Sequence, residues 1–290
     1  MTSINNSDKR RILLYSVIAL IMSALATAGR LFSLLFCYDD IGYYQSGKLL
    51  PILSNAVFAA SVVFFGIAAL FLLKPAKTVA FPNKAARYTA LLPAVAIIIY
   101  LIFSAEVLFL SDSNILPEIS AVFAIISALF FLSLAFCRQP SAISALLGVG
   151  CIFWLAICWF ISYRDFTVPM NSPDKLVFHF GCIGAALFVF SEIRAIYCMS
   201  KPRFYYFSIF TAILSMSVSS IPSLIGSAGE IFSSYSLTYN DLFFLALTVY
   251  AVVRLITLTL CKPPVETAKE AQTESEEEQE APLSENTEQN

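Results

Sequence analysis

Eight times along this chain an apolar run of about 20 residues or slightly more occurs, near positions 12–37, 49–73, 88–110, 115–137, 142–162, 175–198, 204–225 and 241–261. A helix rises about 1.5 Å per residue and the hydrocarbon core of a bilayer is about 30 Å thick, so each run is one crossing long. Inside lipid every backbone N–H and C=O must be satisfied within the segment, which leaves the helix as the reading for all eight. The chain is therefore expected to be all-α, a polytopic integral membrane protein of about eight transmembrane helices. Composition agrees, with 58% hydrophobic and 13% charged residues where a soluble domain has about 45–50% and about 25%.

The order along the chain is a short cytoplasmic N-terminus (1–11), an eight-helix transmembrane domain (12–262) and an acidic tail (263–290). Residues 265–290 hold nine Glu and one Lys. That tail contributes −8 to a net charge of −2 and leaves the rest of the chain at +6. Poor in apolar residues, it is expected to be disordered, solvated and cytoplasmic.

Similar segments follow the second, fourth, sixth and eighth runs, namely Lys74-Pro75, Arg138-Gln139-Pro140, Lys201-Pro202 and Lys262-Pro263. Their basic residues are spaced by 64, 63 and 61 positions, a pattern that suggests four repeated helical hairpins, each closed by a cation and a helix-stopping proline. The same endings also arise independently in unrelated membrane helices.

Cations set the orientation. With the N-terminus inside, twelve of the eighteen Lys and Arg fall in cytoplasmic segments and only Lys48, Arg164 and Lys175 in external ones; Arg30, Arg194 and Arg254 lie within runs. Both termini are accordingly expected in the cytoplasm, with the cell membrane as location. The alternative is a cleaved signal peptide over residues 1–28, since Lys9-Arg10-Arg11, an apolar stretch and Ala26-Thr27-Ala28 imitate one. It would leave seven spans.

Function is much less constrained. The chain has no phosphate-binding glycine loop, no dinucleotide fingerprint and no H-E-x-x-H pair, so no cofactor is expected and an enzyme is the least supported class. The seven cysteines sit mostly in apolar runs and read as packing residues. The single histidine, His179, near the outer end of the sixth run, reads as an interfacial hydrogen-bonding residue.

Five charges within the runs are costly, at about 2.5–3.5 kcal/mol each near a helix centre, and form the candidate intramembrane polar site: Arg30, Glu106, Glu192, Arg194 and Arg254. Depth sorts them into two layers. Arg30 and Glu106 lie nine and six residues before Asp39 and Asp112 in the outer leaflet, while Glu192, Arg194 and Arg254 lie seven to nine residues before Lys201 or Lys262 in the inner one. Glu192 and Arg194 point about 200° apart on one helix, so Glu192 is expected to pair with Arg254 across the sixth and eighth spans, leaving Arg194 for any anionic ligand.

The seventh span adds Ser208, Thr211, Ser215, Ser219 and Ser223 at three- and four-residue intervals, with Pro222 near its outer end. Close helix packing accounts for such a stripe, and a helix broken at the proline to line a cavity is the sharper alternative. Ser215 and Ser219 join the candidate site. Spacings such as Ser144 with Gly148 and Gly181 with Ala185 point to tight crossings.

Two function classes remain, a small-molecule or ion carrier and a non-transporting scaffold or sensor acting through helix packing and the tail. The expected partners are the lipid bilayer and a small-molecule or ion ligand, with no nucleic acid; the tail's protein partner is not specified. A polar cavity reaching the serine stripe or Arg254 favours the first class, and a dry core with paired charges favours the second.

Overall fold

In the computed structural model residues 6–37, 44–45, 47–73, 79, 82–110, 115–137, 141–166, 172–197, 201–228 and 239–260 are described, with backbone only at 6–9, 104–110, 228 and 239. The acidic tail and the basic segments at 74–78, 138–140 and 261–262 lie outside the described residues. The helices are α1 (Asn6–Cys37), α2 (Leu49–Ile67), α3 (Lys84–Thr89), α4 (Leu91–Leu110), α5 (Ile115–Phe136), α6 (Ala142–Arg164), α7 (Pro173–Ile196), α8 (Pro202–Ala228) and α9 (Tyr239–Leu260). Eight spans are long and apolar enough to cross a membrane. The fold is that of an all-helical multi-pass protein.

Local chemistry explains most helix boundaries. Asn83 accepts the Ala86 N–H and starts α3, and Ser141 accepts the Ser144 N–H and starts α6. Pro173 occupies the first turn of α7, where its missing N–H costs nothing. Gly47, at φ 82°, makes the turn into α2 with a backbone geometry that disfavours other residues. The Arg87 guanidinium donates to the carbonyls of Ala135 and Phe136, groups that the end of α5 leaves without intrahelical partners.

Two irregularities were not visible in the hydropathy pattern. The third span begins at Lys84 instead of 88, and its helix is interrupted at Ala90 between α3 and α4. The second ends in a π-helical turn, Ala68–Leu72, that packs against α8.

The packing centres on α8. Seventy-two per cent of its most apolar window is buried, against 22% for α2, whose outward residues include Leu53, Val63 and Phe71. α4, α5, α6, α7, α8 and α9 each pack against the next and α9 closes back on α4, so six helices form a ring; α1 and α2 lie against α8 outside it. The sequential pairs α1–α2, α4–α5, α6–α7 and α8–α9 are neighbours. Short connections produce that adjacency without a repeat, and equivalence of four hairpins is not seen.

The cleavage-like triplet lies inside α1, where Ala26 is buried and Thr27 donates to the Ser217 hydroxyl of α8 at 3.1 Å. Residues 1–28 therefore belong to the packed bundle.

α7 and α8 meet through their smallest residues. A Cβ added at Gly184 would stand 1.9 Å from Ser215 Oγ and 3.1 Å from its Cβ, and one at Gly181 would stand 3.2 Å from Ser219 Cβ. The serine stripe does face protein, with Ser208, Ser215 and Ser219 all buried. Its hydroxyls mostly do not bridge helices as expected from sequence. Ser208, Ser215 and Ser220 donate to carbonyls three or four residues back in α8 itself. Smallness, more than cross-helix hydrogen bonding, brings the helices together. The broken-helix alternative is also corrected, because α8 continues through Pro222 to Ala228; what the proline removes is one N–H, the one that would have met the Val218 carbonyl.

Among the described residues five cysteines are free, and Cys151, Cys158 and Cys182 are buried packing residues. His179 stacks edge-on against Trp159 at 5.6 Å, and its buried Nε2 makes no hydrogen bond among the described residues. Packing describes it better than the expected hydrogen-bonding role.

Candidate functional site

The ring encloses a polar cavity of about 320 Å³ at the end where α1 and α6 finish and α7 and α9 begin. Five ring helices contribute, α4 with Tyr100, α6 with Cys158, Ser162 and Asp165, α7 with Asp174, Lys175 and Phe178, α8 with Ser219 and Ser223, and α9 with Asn240 and Asp241. α1 adds Arg30. Tyr100 lies ten residues from the end of α4 and Ser219 nine from the end of α8, so the floor is about 13–15 Å deep at 1.5 Å per residue, near the middle of a 30 Å core.

Each charged group on the wall is held. Arg30 is buried and pairs with Asp174 through Nη2, and its Nη1 donates to the Tyr44 hydroxyl at 3.4 Å. Burial raises the Tyr44 phenol above its ordinary pKa, with Arg30 offsetting part, so it remains a neutral hydroxyl. Lys175 donates to the Asp165 carbonyl. Asp241, in the first turn of α9, accepts from Ser223 at 2.7 Å and is favoured by the positive end of the helix. Tyr100 also exchanges a hydrogen bond with Ser120 at 3.1 Å.

Below the floor the ring is filled. A chain of ring contacts leads from Tyr100 to Trp154 (5.5 Å between centroids), Phe243 (4.9 Å), Phe131 (6.0 Å), Tyr250 (6.4 Å), Phe188 (5.7 Å) and Tyr205 (6.4 Å). All but Tyr100 are fully buried, so this aromatic column is a plug.

The column ends on the expected ion pair. Arg254 Nε lies 3.0 Å from Glu192 Oε1, and each side chain is 2% exposed. Tyr205 bridges them, donating to Glu192 and accepting from Arg254 at 3.0 Å, while the guanidinium sits over its ring at 5.7 Å. Every nonpolar neighbour raises the cost of an isolated charge here, and pairing with a hydrogen-bonded partner is what offsets it. Two buried oxygens of this cluster, Glu192 Oε2 and the Tyr250 hydroxyl, make no hydrogen bond among the described residues.

Of the candidate residues, the structure brings Glu192 and Arg254 together and sends Arg194 to another face, between the rings of Phe190 and Phe204 at 5.7 and 5.8 Å. Arg30 and Ser219 line the cavity; Ser215 instead packs against Gly184. The Glu106 side chain lies outside the described residues, and the carboxylate found at Arg30 is Asp174. Sequence reasoning missed Asp174, Asp241, Asn240, Tyr100 and Tyr205. The two acids stand in first helical turns, where they read as helix-start residues.

Among the described residues no three His, Cys, Asp or Glu side chains gather as a metal site would require. Comparisons with protein-family models, with curated proteins and with solved structures find no match for this chain.

Proposed function

We propose that this multi-pass protein is a carrier for a small polar solute, bound in the cavity between α4, α6, α7, α8 and α9 and in a state closed on the opposite side. The observation that carries this reading is a charged, hydroxyl-lined cavity reaching about half the depth of the bundle and stopping at an aromatic plug. Pockets of this size, with a few convergent polar groups, are ordinary small-molecule sites, and alternating access around a midplane site requires one closed half. In the positive-inside orientation the open end is extracellular and both termini are cytoplasmic; the cell membrane is the location proposed.

One observation favours the second reading, a non-transporting sensor or scaffold. The closed half is sealed twice, by the plug and by Glu192–Arg254, and a carrier must part both. Uptake of a panel of labelled cationic, zwitterionic, anionic and neutral solutes into liposomes containing the purified protein separates the readings. A carrier gives saturable uptake of one class, reduced at least severalfold when Ser162→Cys is modified with a bulky thiol reagent. Solute binding without uptake means a sensor, and neither means a scaffold.

A further inference from the structure

We infer that the solute is a small organic cation, an alkylammonium or quaternary ammonium ion, anchored by Asp241; this rests on the cavity being the carrier's binding site. Three observations converge. The lining side chains include two cations, Arg30 and Lys175, and three acids, Asp165, Asp174 and Asp241, for a formal charge of −1. Both cations are engaged by the wall itself, Arg30 with Asp174 and Lys175 with the Asp165 carbonyl, so an anionic solute would have to compete with fixed partners. Asp241 is buried at 3% exposure beside Ser219, Ser223 and Asn240, oxygen-bearing groups suited to an ammonium ion.

The second observation is aromatic. Tyr100 and Phe178 line the same space, and a ring face attracts an ammonium ion, most strongly where water is excluded.

The third comes from the connections at the two ends. At the cavity end they are 38–48, 111–114, 165–172 and 229–238, which carry Asp39, Asp40, Asp112, Asp165 and Glu230 against the single cation Lys48. The opposite end has Lys74, Lys77, Arg138 and Lys201 in its connections, and no acid. Orientation in the membrane accounts for the cations, but Asp and Glu contribute little to it. A surplus of acids around the mouth concentrates cations there and speeds their arrival by roughly 10- to 1,000-fold at low salt.

The test is calorimetric binding to the full-length protein in lipid nanodiscs, with ethylammonium and tetramethylammonium compared with alanine, propionate and propionamide. The two cations are expected to bind, to bind less rapidly as salt rises, and to lose roughly tenfold or more in affinity in Asp241→Asn. Should that variant not fold, Asp165→Asn at the exposed rim is expected to weaken binding about two- to fivefold. Propionate or alanine binding at least as tightly as the cations overturns the cation assignment but leaves the cavity a solute site. Cation binding untouched by both variants overturns the anchor. If no probe binds, this inference and the proposed function fall together.

Discussion

Glu192→Leu and Arg254→Met, made singly, are each expected to destabilise the purified protein in detergent by roughly 3–5 kcal/mol, the cost of stranding a buried partner charge. The Nε–Oε1 contact of 3.0 Å, the 2% exposure of both side chains and the Tyr205 bridge put this pair in the fully desolvated class. Removing both charges together leaves no stranded ion, so the double variant should be clearly more stable than the sum of the single losses implies. The exchanged pair, Glu192→Arg with Arg254→Glu, should recover part of the loss. It cannot recover all, since Tyr205 then donates toward a position that no longer carries a carboxylate. Chemical or thermal denaturation of the four variants measures the coupling. Strict additivity would mean the pair contributes no interaction energy.

The second large effect is expected at the α7–α8 crossing. Gly184→Leu places a branched side chain where even a Cβ meets Ser215 Cβ at 3.1 Å and the Ala212 backbone at 3.4 Å. Small-to-large changes in a packed core cost about 1–3 kcal/mol and sometimes more, and a helix most of whose surface is buried has little freedom to retreat. Gly184→Ala should cost less, because the 1.9 Å contact is with a hydroxyl that can rotate away. Replacing Ser215 and Ser219 together by Leu attacks the same crossing from α8 and should destabilise comparably. A melting temperature unchanged in Gly184→Leu would mean that the two helices are not in this register.

Which parts of this arrangement can be read from residues alone follows from the physics of each. Hydropathy locates all eight spans because a crossing needs a length of apolar chain that neighbouring residues fully determine. The Glu192–Arg254 pair is legible for a similar reason. Depth along two helices is countable, and 200° between Glu192 and Arg194 assigns them to different faces. Arg30 illustrates the limit, since its partner Asp174 sits in the first turn of α7, where an acid has an adequate local explanation. The cavity is a property of six helices closing into a ring, and the spacing of its lining residues within any one helix carries no sign of that closure. The interruption at Ala90 and the π-helical turn at 68–72 leave apolar periodicity almost unchanged. Tyr205 escaped because a tyrosine in an apolar run is unremarkable until a carboxylate and a guanidinium meet at its hydroxyl.

The most direct measurement of the central claim, a solute cavity open at the acidic end and closed at the basic end, uses single-cysteine reporters in a background with all seven native cysteines replaced. Ser162→Cys reports the cavity wall, Lys201→Cys the opposite surface, and Ser208→Cys the sealed region near Tyr205. With a membrane-impermeant thiol reagent on intact cells, the account predicts labelling at 162, labelling at 201 only after permeabilisation, and none at 208 in either case. Labelling at 201 from outside, or at 162 only after permeabilisation, would contradict the outward-open arrangement on which the proposed function stands.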